Sequence, residues 1–242
     1  MDTVYTKEIP LRSVEVDFNG TWMPSNIFET MQEAAEDDAA RYGFGRIPLA
    51  QNWGLAWVLT RIHLQMERYP RLGTWVRVST WALRAKTHFV PRQFLFEDDE
   101  GIVGRASSQW MLLDLQARSV ARTSVLGGYA ADFDVPPVLD DPRKFRAPGE
   151  LTSAGTRLVR YSDVDINAHM NNTKYLNWIC DLYPVPFLES MQMQNCRIAY
   201  VTEAHLGEEV TLLKHDAPGS TYICGRTQDA TIFEAQVDWA AR

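Results

Sequence analysis

The sequence is poor in cysteine, in positive charge and in long apolar segments, and each shortage excludes a class of protein. Its three cysteines, Cys180, Cys196 and Cys224, are odd in number and lack metal-ligand spacing, so neither a disulfide framework nor a zinc site is indicated. Lysine and arginine number 24 against 31 acidic residues, and the net charge of −7 argues against nucleic-acid binding. No run approaches the roughly eighteen apolar residues of a membrane span. We therefore expect a cytoplasmic protein without stable membrane insertion.

Several motifs that hold cofactors or perform covalent chemistry are also missing. The sequence has no glycine-rich phosphate loop, no serine elbow and no histidine or aspartate cluster with metal spacing. We therefore expect a mechanism without a cofactor and without a metal ion. The remaining composition, 45% hydrophobic and 23% charged residues, is that of an ordinary globular protein. The length of 242 residues suffices for one large domain or two smaller ones.

One stretch contains more chemically capable side chains than any other. Asp165, Asn167 and His169 stand at every second position, and apolar residues after Asn171 recur at helical spacing until Pro184. The pattern predicts a helix that begins near Asn171, with the polar run in the loop before it. Unpaired N–H groups and the helix dipole would stabilise an oxyanion there. The alternative is structural: Asx turns, an Asn171 cap and a histidine satisfied by polar neighbours.

The first half of the chain predicts a strand, a helix and then an antiparallel series of strands. Alternation predicts the first strand over Val4 to Asp17, and Ser25 is the expected cap of a helix with an apolar stripe. Residues 41–53 hold glycines and a proline, which predict a loop-rich insertion. The long β-branched and aromatic segments that follow cover residues 55–70, 76–84, 88–98 and 104–115.

The second half repeats this order after a proline-rich segment between Gly127 and Glu150, which predicts a linker. Asp17-x-Asn19 parallels Asp165-x-Asn167, and the offset of 165 − 17 = 148 positions suits a duplicated domain. Thr21 stands at the position of the histidine, so the first copy is expected to lack the chemistry. The predicted strands of the second half are Cys196–Glu203, Glu209–His215, Thr221–Gly225 and Ile232–Trp239.

The polar motif resembles the active-site motif of fatty acyl-acyl carrier protein (ACP) thioesterases, the family that includes the plant plastid FatA and FatB enzymes. The family pattern, Asp-x-Asn-x-His-x-Asn-Asn-x-Lys-Tyr, is followed by an acidic residue on a later strand, which Glu203 matches. Because the chain starts almost directly on its first predicted strand, it resembles a bacterial member. The matching residues are Asp165, Asn167, His169, Asn171, Asn172, Lys174 and Tyr175.

The resemblance implies an α+β fold, a tandem double hotdog in which each domain is a long helix wrapped by an antiparallel β-sheet. An N-terminal domain over residues 1–130 would shape the acyl pocket. A linker over residues 131–152 would lead to a catalytic C-terminal domain over residues 153–242.

The resemblance also implies hydrolysis of a thioester, which needs an activated water, donors for the oxyanion and a proton for the departing sulfur. Our hypothesis is that Glu203 activates the water, and that His169 orients it and carries a proton. Asn167 would position the carbonyl or the water, and Asp165 would anchor the loop or the histidine. Backbone N–H groups over residues 168–170 would hold the oxyanion.

Two questions about Glu203 stay open in the sequence. Alternation places its side chain on the inner face of a strand, and the alternative is a strand-end carboxylate turned to solvent. One mechanism considered for the family uses a cysteine directly after the glutamate, but Ala204 stands there, so that mechanism is impossible here. Cys196 is more simply a core thiol. A covalent anhydride through Asp165 or Glu203 is a further alternative.

The acyl chain and the carrier protein each need a binding surface. The expected carrier is acidic, so it would need a local basic patch, and two groups of cations qualify: Arg68, Arg71, Arg77, Arg84, Lys86 and Arg92, or Arg143, Lys144 and Arg146. The other histidines, His63, His88, His205 and His215, are interpreted as structural. The residues expected to line the acyl pocket, or alternatively to form plain core, are Phe28, Met31, Trp53, Trp57 and Trp81.

Three other functions compete with hydrolysis of acyl-ACP. The first is an acyl-coenzyme A (acyl-CoA) thioesterase, and the second is a non-catalytic acyl-binding or carrier-docking hotdog protein. A hotdog dehydratase or hydratase is the third, although it would not need the distant Glu203. Exposed sheet edges leave open the pairing of two chains into a homodimer.

Overall fold

The computed structural model describes residues 3–127, 129 and 135–242. The chain forms two compact units, the first made of Met1–Met23 and Ile27–Pro142, the second of Pro24–Asn26 and Arg143–Arg242. The predicted domain boundaries stay a prediction, and part of the predicted linker, residues 131–134, lies outside the described residues. In the described part of the chain, no helix combines the length and hydropathy needed to cross a membrane.

The first unit contains an antiparallel sheet of order β1-β3-β4-β5-β2, with the short β6 paired to β5. The four long segments predicted from their β-branched and aromatic residues are confirmed as strands of this sheet. The strands are β1 (Tyr5–Pro10), β2 (Leu55–Met66), β3 (Trp75–Ala82), β4 (Val90–Asp98), β5 (Gly101–Asp114) and β6 (Ser119–Ala121), followed by a 3₁₀ turn at Thr123–Leu126.

The long helix α1 covers Pro24–Arg41, and its apolar stripe is buried as predicted. Ser25 is not its cap: the N-cap is Met23, and Ser25 is a buried residue inside the first turn beside a proline that suits a helix start. The charged face holds the helix to the sheet, because Lys7 Nζ of β1 lies 2.8 Å from Asp37 Oδ2. The buried stripe consists of Ile27, Phe28, Met31, Ala34 and Ala35.

Two predictions for the first unit were wrong in extent. The first strand ends at Pro10 rather than Asp17, because the chain then turns: Met23 N donates to Glu15 O at 2.9 Å, and the Glu15 carboxylate accepts from Arg12 N at 2.7 Å. The insertion at 41–53 contains a helix, α2 (Arg46–Trp53). It ends at Gly54, whose φ of 64° is the left-handed conformation that terminates helices.

The second unit contains an antiparallel sheet of order β8-β11-β10-β9-β7. Its helix α3 covers only Lys174–Cys180, so the expected long helix beginning near Asn171 was wrong in length. Pro184 ends the pattern, and a separate short helix, α4 (Val185–Ser190), follows. The strands are β7 (Thr152–Leu158), β8 (Met191–Tyr200), β9 (Glu209–Ala217), β10 (Ser220–Arg226) and β11 (Thr231–Ala241), with a 3₁₀ turn at Tyr161–Asp163.

The core of the second unit forms where α3 meets the sheet. Tyr175, Leu176 and Ile179 are buried, and the Tyr175 ring lies 4.7 Å from the Phe233 ring of β11 and 5.7 Å from the Tyr200 ring at the end of β8. Aromatic contacts of this kind contribute beyond the area they bury. This packing fixes the end of β8, from which the chain continues to Glu203.

Candidate active site

The polar motif forms a tight turn between Val164 and Met170, which face each other as an antiparallel bridge. Asp165 N donates to His169 O at 2.8 Å, and Ala168 N donates to Asp165 O at 3.0 Å. Closing the turn requires a left-handed residue, and Ala168 has a φ of 60°. The turn thus presents His169 on its second arm.

The side chain of Asp165 holds this turn together. Its Oδ1 accepts the Asn167 backbone N–H at 2.8 Å, and its Oδ2 lies 3.3 Å from Asn167 Nδ2. This is the Asx turn that the sequence offered as an alternative. Between its two predicted roles, Asp165 therefore anchors the loop, while Asn167 remains exposed at the tip.

Glu203 reaches the same place from the end of β8. The strand stops at Tyr200, and Val201 N and Thr202 N both donate to Ile232 O, at 2.8 and 3.2 Å, so the chain leaves regular pairing there. The Glu203 side chain is 52% exposed. Its prediction on the inner face of a strand was wrong, because alternation ends with the strand.

The two segments are joined by backbone contacts that bring their side chains together. Met170 N donates to Ala204 O at 2.8 Å, and His169 forms an antiparallel bridge with His205. His169 Nδ1 lies 3.3 Å from Glu203 Oε1, with the imidazole 31% exposed. Both groups thus face each other in contact with water.

His205 is the site residue that the sequence analysis set aside as structural. Its ring stands edge-on to that of His169, with the ring centres 4.7 Å apart. One donor atom from each of His169, Glu203 and His205 lies within 4.8 Å of the others. The signal in the sequence was only the closeness of His205 to Glu203, because its pairing with His169 spans 36 positions (205 − 169).

Two further motif residues, Asn171 and Tyr175, contribute to the structure around the site. Asn171 Oδ1 accepts from Thr173 N at 3.0 Å and from Thr173 Oγ1 at 2.9 Å, so Asn171 makes its own turn before α3 instead of capping the helix. Burial raises the pKa of Tyr175, and the negative charges of Glu208 and Glu203 raise it further. Tyr175 therefore stays protonated and serves as a floor beneath the polar cluster.

The predicted oxyanion donors are already engaged. Ala168 N donates to Asp165 O and Met170 N donates to Ala204 O, so these two N–H groups hold the loop together instead of facing a substrate. The two-turn helix α3 begins at Lys174, five residues after His169, and not near Asn171. The positive end of its dipole is therefore farther from the motif than predicted. The prediction of backbone donors over 168–170 was therefore wrong for both of these amides.

The first unit contains the same turn without the same chemistry. Asp17 N donates to Thr21 O at 2.8 Å, and Gly20, with a φ of 71°, takes the left-handed position. Trp22 N donates to Pro70 O at 2.9 Å, as Met170 N does to Ala204 O. The internal repeat is confirmed at the level of individual hydrogen bonds. Thr21 replaces the histidine, and the residue before Pro70 is a tyrosine where the second unit has its glutamate.

The predicted pocket residues differ in exposure. Phe28, Met31 and Trp81 are fully buried, Trp57 is partly buried with its Nε1 donating to Phe44 O at 2.9 Å, and Trp53 is 50% exposed. Three of the five thus lie in the core of the first unit. Their role in acyl binding stays a prediction.

The remaining cysteine and histidine predictions concern structural residues. Cys196 is buried in β8, and burial raises the pKa of its thiol, which agrees with a core residue. His215 Nδ1 lies 3.0 Å from Glu150 O, as expected of a structural histidine.

Comparison with solved structures identifies the fold. The chain matches an acyl-ACP thioesterase from Bacteroides thetaiotaomicron with a TM-score of 0.90 at 24% identity, covering 98% of each chain. It matches the 12:0-ACP thioesterase from Umbellularia californica with a TM-score of 0.83 at 23% identity, covering 100% of this chain and 99% of that one. These likenesses define the class: a tandem double hotdog protein of the α+β type, as predicted.

Family profiles narrow the class. The acyl-ACP thioesterase N-terminal domain matches residues 2–125, and the acyl-ACP thioesterase C-terminal domain matches residues 151–240. The chain belongs to the acyl-ACP thioesterase family, in agreement with the resemblance of its motif.

Curated relatives agree with this assignment. The chain is 30% identical to the palmitoyl-acyl carrier protein thioesterase of Cuphea hookeriana over an alignment of 214 residues that covers 83% of this chain. It is 25% identical to the oleoyl-acyl carrier protein thioesterase 1 of Arabidopsis thaliana over an alignment of 228 residues that covers 86% of this chain. The chain spans about half the length of the first relative, 52%, and 63% of the second.

Proposed function

We propose that this protein hydrolyses the thioester of a fatty acyl chain on ACP, releasing the free fatty acid and the carrier's thiol. The observation that carries the proposal is the 3.3 Å approach of His169 Nδ1 to Glu203 Oε1 in the loop of the second unit. A carboxylate beside an imidazole is a pair suited to activate water and move its proton. Membership of the acyl-ACP thioesterase family supports this reaction over a dehydratase or hydratase.

In the proposed mechanism, Glu203 accepts a proton from a water molecule whose oxygen attacks the thioester carbon. The tetrahedral intermediate collapses, the carbon–sulfur bond breaks, and the sulfur leaves with a proton delivered through His169. Because Nδ1 faces the carboxylate, the other ring nitrogen, Nε2, is the atom that turns toward the substrate. Because both side chains are partly exposed, the attacking water can come from the solvent. Direct attack of water is preferred to an anhydride, since the carboxylate is open to solvent rather than held against an acyl site.

Asn167 is the proposed partner of the substrate carbonyl. Its Nδ2 carries two N–H donors, and Asp165 Oδ2 at 3.3 Å occupies at most one of them. The second N–H can donate to the developing oxyanion. The backbone N–H groups of residues 168 and 170 cannot take this role, because they already donate within the protein. Asp165 acts in this account through the loop, as a positioning residue.

The carrier is proposed to dock on the basic segment, which we define as Arg143, Lys144 and Arg146. All three side chains are exposed, and the intervening Phe145 ring contacts the Tyr222 ring of β10 at 6.2 Å, in the same unit as the site.

Several cations of the first group form ion pairs. Arg92 is only 4% exposed and lies 2.8 Å from the 1% exposed Asp38, so its assignment to a docking surface was wrong. Arg68 pairs with Asp98, and Lys86 Nζ lies 2.8 Å from Asp141 Oδ2.

A thiol-release assay on an acyl-ACP tests the proposal. Glu203→Gln keeps the shape of the side chain but removes the base, so kcat is expected to fall by roughly 10²–10⁴-fold. The matched control is Glu209→Gln, an exposed carboxylate at the start of β9, which should hydrolyse at the wild-type rate. Both variants should keep the wild-type circular dichroism spectrum. Near-normal turnover by Glu203→Gln would reject the mechanism.

The same assay with the same acyl chain on coenzyme A separates the two carriers. A higher kcat/KM on acyl-CoA would replace the proposed substrate while leaving the hydrolase intact. Absence of turnover on both, with the acyl chain bound, would favour the non-catalytic alternative.

A further inference from the structure

We propose that His169, Glu203 and His205 form a binding site for a divalent cation of the zinc type, and that the bound cation inhibits the enzyme. Two imidazoles and a carboxylate are a ligand set that zinc accepts while keeping its fourth position for water. One donor atom of each residue lies within 4.8 Å of the others.

The separation of the donor atoms suits a small tetrahedral ion. Zinc binds nitrogen and oxygen at about 2.0–2.1 Å, so two ligands of a tetrahedral site stand about 3.3 Å apart. His169 Nδ1 and Glu203 Oε1 are already 3.3 Å apart. His205 is exposed, and one of its ring nitrogens lies within 4.8 Å of the donor atoms of His169 and Glu203, within reach of the same ion.

The backbone holds together the two segments that carry the three ligands before any ion arrives. His169 and His205 face each other as a bridge, and the hydrogen bond from Met170 N to Ala204 O fixes the register of the two segments. The bridge between the two segments does not require a histidine at the position of His205. In the first unit, Arg71 occupies that position and forms the corresponding bridge with Thr21. Imidazole nitrogen favours zinc and similar transition metals over magnesium or calcium.

Inhibition follows from the atoms that the ion would occupy, and this half of the inference rests on the proposed function. A cation bound to Glu203 Oε1 and His169 Nδ1 occupies the proposed base and the ring nitrogen that faces it, and so blocks proton movement between the two residues. Binding itself does not depend on catalysis. The two halves therefore need separate measurements.

Titration calorimetry of zinc into the metal-stripped protein tests binding. The wild type should bind one ion, and His205→Ala should lower the affinity at least about tenfold, since even outer residues of metal sites change affinity by about 10–100-fold. His88→Ala, which removes an exposed histidine of the first unit, is the matched control and should bind as the wild type does. Cobalt(II) should give a tetrahedral visible spectrum in the wild type and lose it in His205→Ala. Equal affinity of the wild type and His205→Ala, or no binding by either, would overturn the site.

Thiol release at increasing zinc concentration tests inhibition. The wild-type rate should fall, and His205→Ala should need at least about tenfold more zinc for the same fractional loss, each measured against its own zinc-free rate. A zinc-activated wild type, or equal sensitivity of both proteins, would overturn the inhibitory role. If calorimetry shows the site but neither protein releases thiol from any acyl carrier, the proposed function fails and the metal site stands.

Discussion

At the scale of single residues, the shape of the turn that carries the proposed catalytic histidine depends on Ala168, a non-glycine residue at a φ of 60°. The corresponding residue of the first unit is Gly20, at a φ of 71°. Glycine adopts this conformation freely, whereas an L-residue is strained by roughly 1–2 kcal/mol. The second unit tolerates alanine because Asp165 and His169 close the turn by hydrogen bonds on either side.

Substitution at Ala168 should therefore affect activity according to backbone preference. Ala168→Val, which adds a β-branched side chain at a left-handed position, should lower the free energy of unfolding by about 1–3 kcal/mol and lower kcat/KM because His169 moves. Ala168→Gly should not lower the free energy of unfolding by this amount, and it should keep kcat/KM within a factor of a few. Thermal unfolding and thiol release measure the two effects. A valine variant with wild-type stability and activity would show that the turn does not position the histidine.

The chemistry-bearing residues were recognisable in the sequence, but their surroundings were not. The order of Asp165, Asn167 and His169 is local, so spacing alone located them. The exposure of Glu203 and the approach of His205 depend on where β8 stops and on a bridge between distant segments. One sequence carries no signal for such long-range pairing, and alternation gave the wrong face once the strand had ended.

At the scale of elements, the long strands were the most predictable parts. β2 to β5 and β9 to β11 lie at the predicted strand-like runs, because β-branched and aromatic residues favour strands. β8 (Met191–Tyr200) overlaps its predicted run, Cys196–Glu203, but begins and ends earlier. Helix α2 was missed because Pro48 and two glycines suggested a loop. Pro48 is the third residue of α2, within the first turn, where proline costs no hydrogen bond.

The basic segment is the element on which the choice of carrier can be tested. The double variant Lys144→Glu/Arg146→Glu should raise KM for acyl-ACP about tenfold or more, because like charges at a docking surface cost several kcal/mol. The KM for the uncharged acyl-pantetheine should not change. Steady-state kinetics on the two substrates provides the measurement.

The matched control reverses two exposed cations of the other group, in Arg71→Glu/Arg84→Glu, and should leave KM for acyl-ACP unchanged. If this control is the variant that loses affinity, the docking surface lies on the first unit. The assignment of the basic segment would then be wrong.

At the scale of the whole molecule, the chain carries one turn twice and the proposed catalytic pair once. Both units keep the Asp-x-Asn turn and its hydrogen bonds, but only the second has the histidine and the glutamate. The repeat was visible in the sequence as an offset of 148 positions, because the turn residues are fixed by backbone geometry. The loss of the glutamate in the first unit was not visible, since the offset changes to 203 − 69 = 134 in the later segment.

The protein has a net charge of −7, so an acidic carrier is repelled by the molecule as a whole and attracted only by the basic segment. Attraction to the basic segment must outweigh general repulsion, and screening shortens the reach of both, from a Debye length of about 10 Å at 0.1 M salt to about 3 Å at 1 M. We expect kcat/KM for acyl-ACP to fall about tenfold over this range, while kcat/KM for acyl-pantetheine stays constant. A rate on acyl-ACP that rises with salt or does not respond would remove the electrostatic account of docking.

The central claim is that His169 and Glu203 act as one unit across their 3.3 Å contact. A double-mutant cycle on kcat with His169→Gln, Glu203→Gln and the double variant measures this directly. Groups that act together show strongly non-additive losses, so the double variant should be about as slow as the slower single variant. If the two losses multiply, the residues act independently and the proposed site is wrong.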